Sequence, residues 1–282
     1  MTWPEACMTV LLTSFTIGRA LAPQTAASYP STVKKYFENQ GVYTTFFKHS
    51  KYIRNTKQGL TLAYRAQTNR TSLDTMRLPN TADMIILVYH RVTANDTPTP
   101  QQRAIFVAQL TGFTMVARVS EYLFTSKSEH WLTTERVQFE LPDGTLVPAQ
   151  HAHVHAHKNP IAVHIHIKTR KNDQKGRGHT LHFHRAHHTD KYCYMSEMWA
   201  HAQCARPKPN CPFFAIPSED WVLKAPQLSL QLKNMASYLG IDATRISTHS
   251  LRIGGASTLA AAGLTDNEIM RIGAWRSSNF LT

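Results

Sequence analysis

The sequence predicts a mainly helical protein that carries one small antiparallel β-sheet and is divided into two domains. Apolar residues recur at helical spacing near both ends of the chain. Between them, two short segments alternate apolar and polar residues with the period of a strand and are joined by a glycine turn. A polar stretch, residues 69–75, separates an aromatic and basic N-terminal region from a fresh helix start. With 282 residues, 42% of them apolar, the chain is long enough for two packed cores.

In chain order, residues 8–17 are apolar and lie before Ala20-Leu21-Ala22, which imitates a signal-peptide cleavage site. The preceding stretch holds Glu5 and no Lys or Arg, so a buried helix is expected instead. Ala27, Val33, Tyr36 and Phe37 then fall at helical spacing, punctuated by Pro30 and Gly41. Residues 42–66 interleave Tyr43, Phe46, Phe47 and Tyr52 with Lys48, Lys51, Arg54 and Lys57, the pattern of helices with one buried and one basic side. Residues 1–70 are therefore expected to form a helical, DNA-clamping domain, 71–80 a linker, and 81–282 a second domain.

In that second domain a helix is expected to start at Thr81 or Asp83, and residues 101–117 read as a strongly apolar helix. Residues 136–185 turn strand-like: Val163, Ile165 and Ile167 alternate with His164, His166 and Lys168, and Thr180 to His184 alternate again after Gly176-Arg177-Gly178, a hairpin. Helix returns from about residue 190. Pro226 opens one helix whose Leu228, Leu232, Met235 and Leu239 share a face before Gly240 ends it. Thr265 and Glu268 form the capping box of another, closed by Gly273.

Thirty-one Lys and Arg against eighteen Asp and Glu leave a formal charge of +13, which points to an anionic partner, nucleic acid first. The four cysteines, Cys7, Cys193, Cys204 and Cys211, are too scattered for a disulfide scaffold and favour an intracellular compartment. No run of eighteen apolar residues is present to span a membrane.

Four separated pieces share one pattern. Arg118-Val119-Ser120-Glu121 follows the apolar helix, Lys171 lies between the two alternating strands, His249-Ser250-Leu251-Arg252 opens a helix, and Gly273-Ala274-Trp275 comes twenty-three residues after Arg252. Taken singly, Arg-x-x-Glu reads as a helical surface pair and His-x-x-Arg as a capping or solvated motif. In this order and spacing they resemble the catalytic pattern of the tyrosine recombinases, the phage-integrase family. Leu21-Ala22-Pro23-Gln24-Thr25 with Tyr29 resembles the opening of that family's core-binding domain, and Arg77-Leu78-Pro79-Asn80-Thr81 the opening of its catalytic domain. Trp275 in place of a histidine looks most like the recombinases of Crypton- and DIRS-type eukaryotic mobile elements.

The resemblance implies DNA cleavage and rejoining through a 3′-phosphotyrosyl intermediate, with no metal or nucleotide cofactor. Arg118 and Arg252 would stabilise charge growing on the phosphate, because a guanidinium offers planar, fixed donors. Lys171 would protonate the departing sugar oxygen. His249 and Trp275 would hold the phosphate and nucleophile by hydrogen bonds. Arg170, Lys175, Arg177 and Arg276, with Lys48, Lys51, Arg54 and Lys57, are the expected DNA contacts. The family's tyrosine would fall just after Thr282, so the sequence as written is expected to end short of its nucleophile, to bind double-stranded DNA and to leave it uncut. Self-association on DNA and, in a eukaryote, a nuclear location follow from the same resemblance. Two other readings stay open: a DNA-binding remnant without catalysis, and a histidine-rich metal-binding protein.

The last reading rests on the twelve of sixteen histidines that fall between His151 and His201. His151, His153, His155 and His157 would share one side of a strand, as a metal tract or simply as an exposed face. His201, Cys204 and Cys211 supply part of a zinc set but lack a fourth ligand, and no metal site is expected.

Overall fold

The structure is a computed structural model that describes residues 77–93, 98–125, 131–168, 178–185, 193–273 and 275. The chain divides between Met76 and Arg77 into two units, and all of these residues belong to the second. The expected helices of residues 8–66 and the polar stretch 69–75 lie outside the described residues.

Helix α1 (Ala82–Thr93) begins directly after Thr81, whose Oγ1 accepts from the Met84 amide. Helix α2 (Pro100–Thr114) is set by its own sequence: Pro100 occupies the first turn, and Thr99 and Gln102 exchange side-chain and backbone hydrogen bonds as a capping box. Its residues from Phe106 to Gly112 are all buried, so α2 forms the centre of the domain. It packs against α1, against α4 (Tyr194–Ala205) and against α6 (Thr248–Ala261). Between α2 and the sheet runs the short α3 (Val119–Tyr122).

The sheet has the order β2-β1-β3-β4 and is antiparallel throughout, with β1 Val137–Glu140, β2 Leu146–Pro148, β3 Ala162–Ile167 and β4 His179–His184. Val137, Phe139, Val147, Val163, Ile165 and Ile167 are buried on its inner face. There Trp199 of α4 meets Phe139 edge-on at 4.8 Å and Tyr194 meets Phe183 at 5.0 Å. The alternation read from 163–168 and 180–184 is thus the two-faced strand pair that its period implies. Other elements include the two-residue strands β5 (Ala215–Ile216) and β6 (Trp221–Val222), helix α5 (Ala225–Tyr238) and helix α7 (Asp266–Gly273).

Two expectations need correction. His151 to His157 do not form a strand. Ala149–His151 is a 3-10 turn, and amides of Ala152, Val154, His155 and Lys158 each bond the carbonyl three residues back. Buried Ala149 and Ala152 anchor this run of turns, so burial of two small residues overrides the alternating pattern. Leu239 does not join the buried face of Leu228, Leu232 and Met235 but is 38% exposed. The α5 end explains it: Gly240 adopts φ +68° and turns the chain, and Ile241, bonded through its amide to the Ala236 carbonyl, packs on the core instead.

Candidate functional site

The site is built where the C-terminal end of α2, the α3 turn and the N-terminal end of α6 meet. Immediately after α2, Val116 takes φ +48° while fully buried against Ala256 and Ile269. A β-branched residue in that region is strained by about 1–3 kcal/mol. Packing holds it there, and the sharp turn places Arg118 at the start of α3. Glu121, 2% exposed, accepts from both the Arg118 amide and Nη1, each at 3.1 Å, so the guanidinium is tied at one edge. The Arg-x-x-Glu pair is therefore a brace for the arginine and not a surface pair.

Ser247 caps α6, accepting from the His249 amide, and Ser250 Oγ accepts from the Ser247 amide. This fixes His249 in the first turn and Arg252 one turn on. Gly254 and Gly255 then set the depth of the helix. A Cβ on Gly254 would stand 1.8 Å from the Asn80 carbonyl oxygen, and one on Gly255 2.0 Å from that of Phe113. Only glycine lets both backbones approach so closely. The segment 77–80 is laid along α6 by backbone bonds from Leu78 to the Arg245 carbonyl and from Asn80 to that of Ser250. Arg77 Nη1 donates to the Thr244 carbonyl at 2.8 Å.

Arg252 is 8% exposed, and its guanidinium carbon lies 4.2 Å from the centroid of the Trp275 ring, a cation–π contact. Trp275 reaches it because its amide bonds the Met270 carbonyl, and because Gly273 has no Cβ, which would meet the indole at 2.5 Å. Desolvation lowers the pKa of His249 below the usual histidine range, and the charges of Arg252, Arg118 and Arg77 lower it further. At neutral pH the imidazole is uncharged, one nitrogen donating and the other accepting. Three guanidiniums acting on one neutral imidazole make a place that favours an anion such as a phosphodiester.

Of the residues singled out in the sequence, Arg118, His249, Arg252 and Trp275 come together here. Lys171 falls in sequence between the paired strands β3 and β4 but lies outside the described residues, as do Arg170, Lys175, Arg177, Arg276, Lys48, Lys51, Arg54 and Lys57. Arg77 escaped the sequence reading as a site residue, since nothing in a linker-like segment marks which side chain will reach a helix terminus far along the chain. Tyr122 and Tyr194 are buried, and burial pushes both phenols up, so neither supplies a phenolate here. His201, one member of the partial zinc set, is fully buried beside Phe213 and Phe214, its Nε2 bonded to the Phe213 carbonyl, whereas Cys204 is exposed. No described helix is long and apolar enough to cross a membrane.

No protein-family model matches the chain, and no curated protein matches it by sequence. Solved structures do match. A XerH site-specific recombinase bound to a palindromic difH substrate, a post-cleavage complex, superposes with a TM-score of 0.57 at 13% identity over 98% of this chain and 66% of that one. The pre-cleavage XerH complex with difH gives 0.50 at 13% identity, over 98% and 65%. The chain thus spans just under two thirds of the length of those recombinases. The likeness is one of fold: a mostly helical chain with a small antiparallel sheet, as in the tyrosine-recombinase catalytic domain.

Proposed function

We propose that this chain is a DNA-binding protein of tyrosine-recombinase type whose phosphate-handling centre is formed by Arg118, His249 and Arg252. The observation that carries the reading is that Arg252, one turn along α6 from His249, is joined by two arginines distant in sequence, Arg118 at the start of α3 and Arg77 in the segment before α1, whose charges all act on His249. Arg118 and Arg252 donate to the nonbridging oxygens of a DNA phosphate, and their fixed positions stabilise charge as it grows in the transition state. Glu121 orients Arg118 from behind, and the Trp275 ring holds Arg252 from one face. Neutral His249 donates its ring N–H to a phosphate oxygen or accepts from the hydroxyl of the attacking group. Lys171, carried between β3 and β4, serves as the acid for the departing sugar oxygen. An attacking tyrosine, of which residues 276–282 hold none, would form a phosphotyrosyl bond that conserves the energy of the DNA linkage.

The XerH structures are of a site-specific recombinase bound to its difH substrate, which supports duplex DNA as the partner of this chain; self-association on DNA and a nuclear location belong to the same proposal. Tryptophan at position 275 supports placement with the Crypton- and DIRS-type recombinases of mobile elements. A nicked suicide substrate tests the reading. The 282-residue chain is expected to bind it and to yield no denaturation-resistant adduct, whereas a chain carrying a tyrosine one or two positions after Thr282 yields one. An adduct from the 282-residue chain would identify an internal nucleophile and overturn the assignment. Loss of duplex binding in the Arg252→Ala variant is expected as well, and unchanged binding would remove the phosphate role.

A further inference from the structure

The outward face of the sheet gathers a second group of convergent side chains, on different elements from the arginines. Across the β3–β4 pair His164 stands opposite His182, and the two rings meet edge to face with centroids 4.5 Å apart. Their Nδ1 atoms are 3.1 Å from each other. On the other side of His164, Nε2 lies 2.8 Å from Oε2 of Glu140 on β1. These contacts dictate where hydrogens sit. An ionised carboxylate only accepts, so His164 Nε2 carries the hydrogen, and in the neutral ring Nδ1 presents a lone pair toward His182. His166 and Thr180, bonded to each other at 3.2 Å, line the same open cleft.

We propose that His164 and His182 bind one divalent transition-metal ion between their Nδ1 atoms, with Glu140 holding His164 in the ligating tautomer. Imidazole–zinc bonds are about 2.0–2.1 Å long. Two nitrogens 3.1 Å apart close on such an ion with an angle of about 100°, between the square and tetrahedral values. His182 joins as the neutral tautomer with its hydrogen on Nε2, so each ring offers a lone pair and neither gives up a net proton. A carboxylate behind a ligating histidine is the arrangement that fixes ring orientation and raises ligand basicity at metal centres. The site is open: among the described residues no three His, Cys, Asp or Glu side chains form a ready ligand set, and water completes the coordination. Imidazole ligands select zinc, copper or nickel over magnesium or calcium.

The proposed site lies apart from the 151–157 tract, whose histidines sit on successive turns. It also links two strands that flank Lys171 in sequence, so a bound ion staples the base of that connection. It stands independently of the recombinase reading.

The test is calorimetric titration with zinc chloride of a full-length variant in which His151, His153, His155 and His157 are all replaced by Gln, so that the turn histidines add nothing. That variant is expected to bind a single equivalent of zinc; adding His182→Gln or His164→Gln abolishes it, and adding Glu140→Gln weakens it by about 10-fold or more. Circular dichroism establishes that each variant is folded. For a variant that is not, nitrogen-15 spectra of the unmutated chain decide: on adding zinc the Nδ1 signals of His164 and His182 shift together. An equivalent that survives both histidine substitutions, one that is missing from the fourfold variant, or Nδ1 signals that stay in place would each overturn the proposal.

Discussion

At the scale of single residues, two histidines make folding sensitive to acid. Burial lowers the pKa of His201 to about 4, and its Nδ1 has no hydrogen-bond partner among the described residues. His249 is lowered by desolvation and by its arginine neighbours. A depressed folded pKa means the unfolded chain binds the proton first. The stability these groups contribute is therefore complete above the ordinary histidine value of 6.5 and is lost as pH falls through the lowered values. For His201 alone the loss by pH 4 is on the order of 3 kcal/mol. Urea midpoints are expected to fall from pH 7 to pH 4, and to fall less steeply in the His201→Phe variant, whose ring keeps the stack on Phe214. An unchanged slope would mean that His201 is not buried as described. Trp275 is the second case. Removing its ring in Trp275→Ala is expected to weaken binding of a DNA phosphate by the mobility gained by Arg252, roughly 0.5–2 kcal/mol, while Trp275→Phe keeps most of the effect. Equal affinities of the two variants for a short duplex would show that the ring face is not what holds the guanidinium.

At the scale of elements, α6 is where sequence rules and packing conflict. An interior glycine costs a helix about 0.5–1 kcal/mol relative to alanine, so Gly→Ala in an unobstructed helix stabilises. At Gly254 and Gly255 the sign is expected to reverse, because a Cβ would run into the backbone oxygens of Asn80 and Phe113, which cannot rotate away as a side chain does. Each alanine variant is expected to lose about 1–3 kcal/mol by chemical denaturation and to lose DNA binding beyond that, since a displaced α6 carries His249 and Arg252 with it. A variant as stable as the parent would show that the helix is not seated so deeply. Gly112 follows the same logic: its added methyl would meet the hydroxyl of the buried Tyr122 at 2.5 Å and Leu251 Cδ1 at 3.0 Å.

At the scale of the whole molecule, the proposed duplex binding would be governed by a formal charge of +13. Each phosphate neutralised by Lys or Arg releases a counterion, so affinity is expected to fall as a steep power of salt concentration, by about 10³-fold or more between 50 and 200 mM if six or more phosphates are contacted. Affinity that is flat across that range, read by fluorescence anisotropy, would exclude a broad basic interface. Lys171 is expected to divide binding from chemistry. In a chain supplied with the tyrosine, Lys171→Ala leaves duplex affinity nearly unchanged and strongly slows cleavage, because a general acid acts in the transition state. Equal losses in both would reduce it to a phosphate contact.

Features that depend on near neighbours could be read along the chain. The Thr265–Glu268 cap, the glycine stop after α5 and the alternation of β3 and β4 were legible because hydrogen bonds and side-chain direction repeat over two to four residues. The order of Arg118, His249, Arg252 and Trp275 was legible as a family likeness, since a motif survives in sequence even when its members are distant. Local pattern failed at His151–His157, where buried Ala149 and Ala152 decide the backbone through contacts that a period of two cannot register. Only the tertiary structure brought Arg77 to the His249 field, seated Gly254 against Asn80, and set His164 against both His182 and Glu140. Those relations depend on strand register and on the depth to which one helix sinks against another. Both are fixed by the packing of the whole domain, in which a shift of one residue or one methyl group moves every distant partner at once.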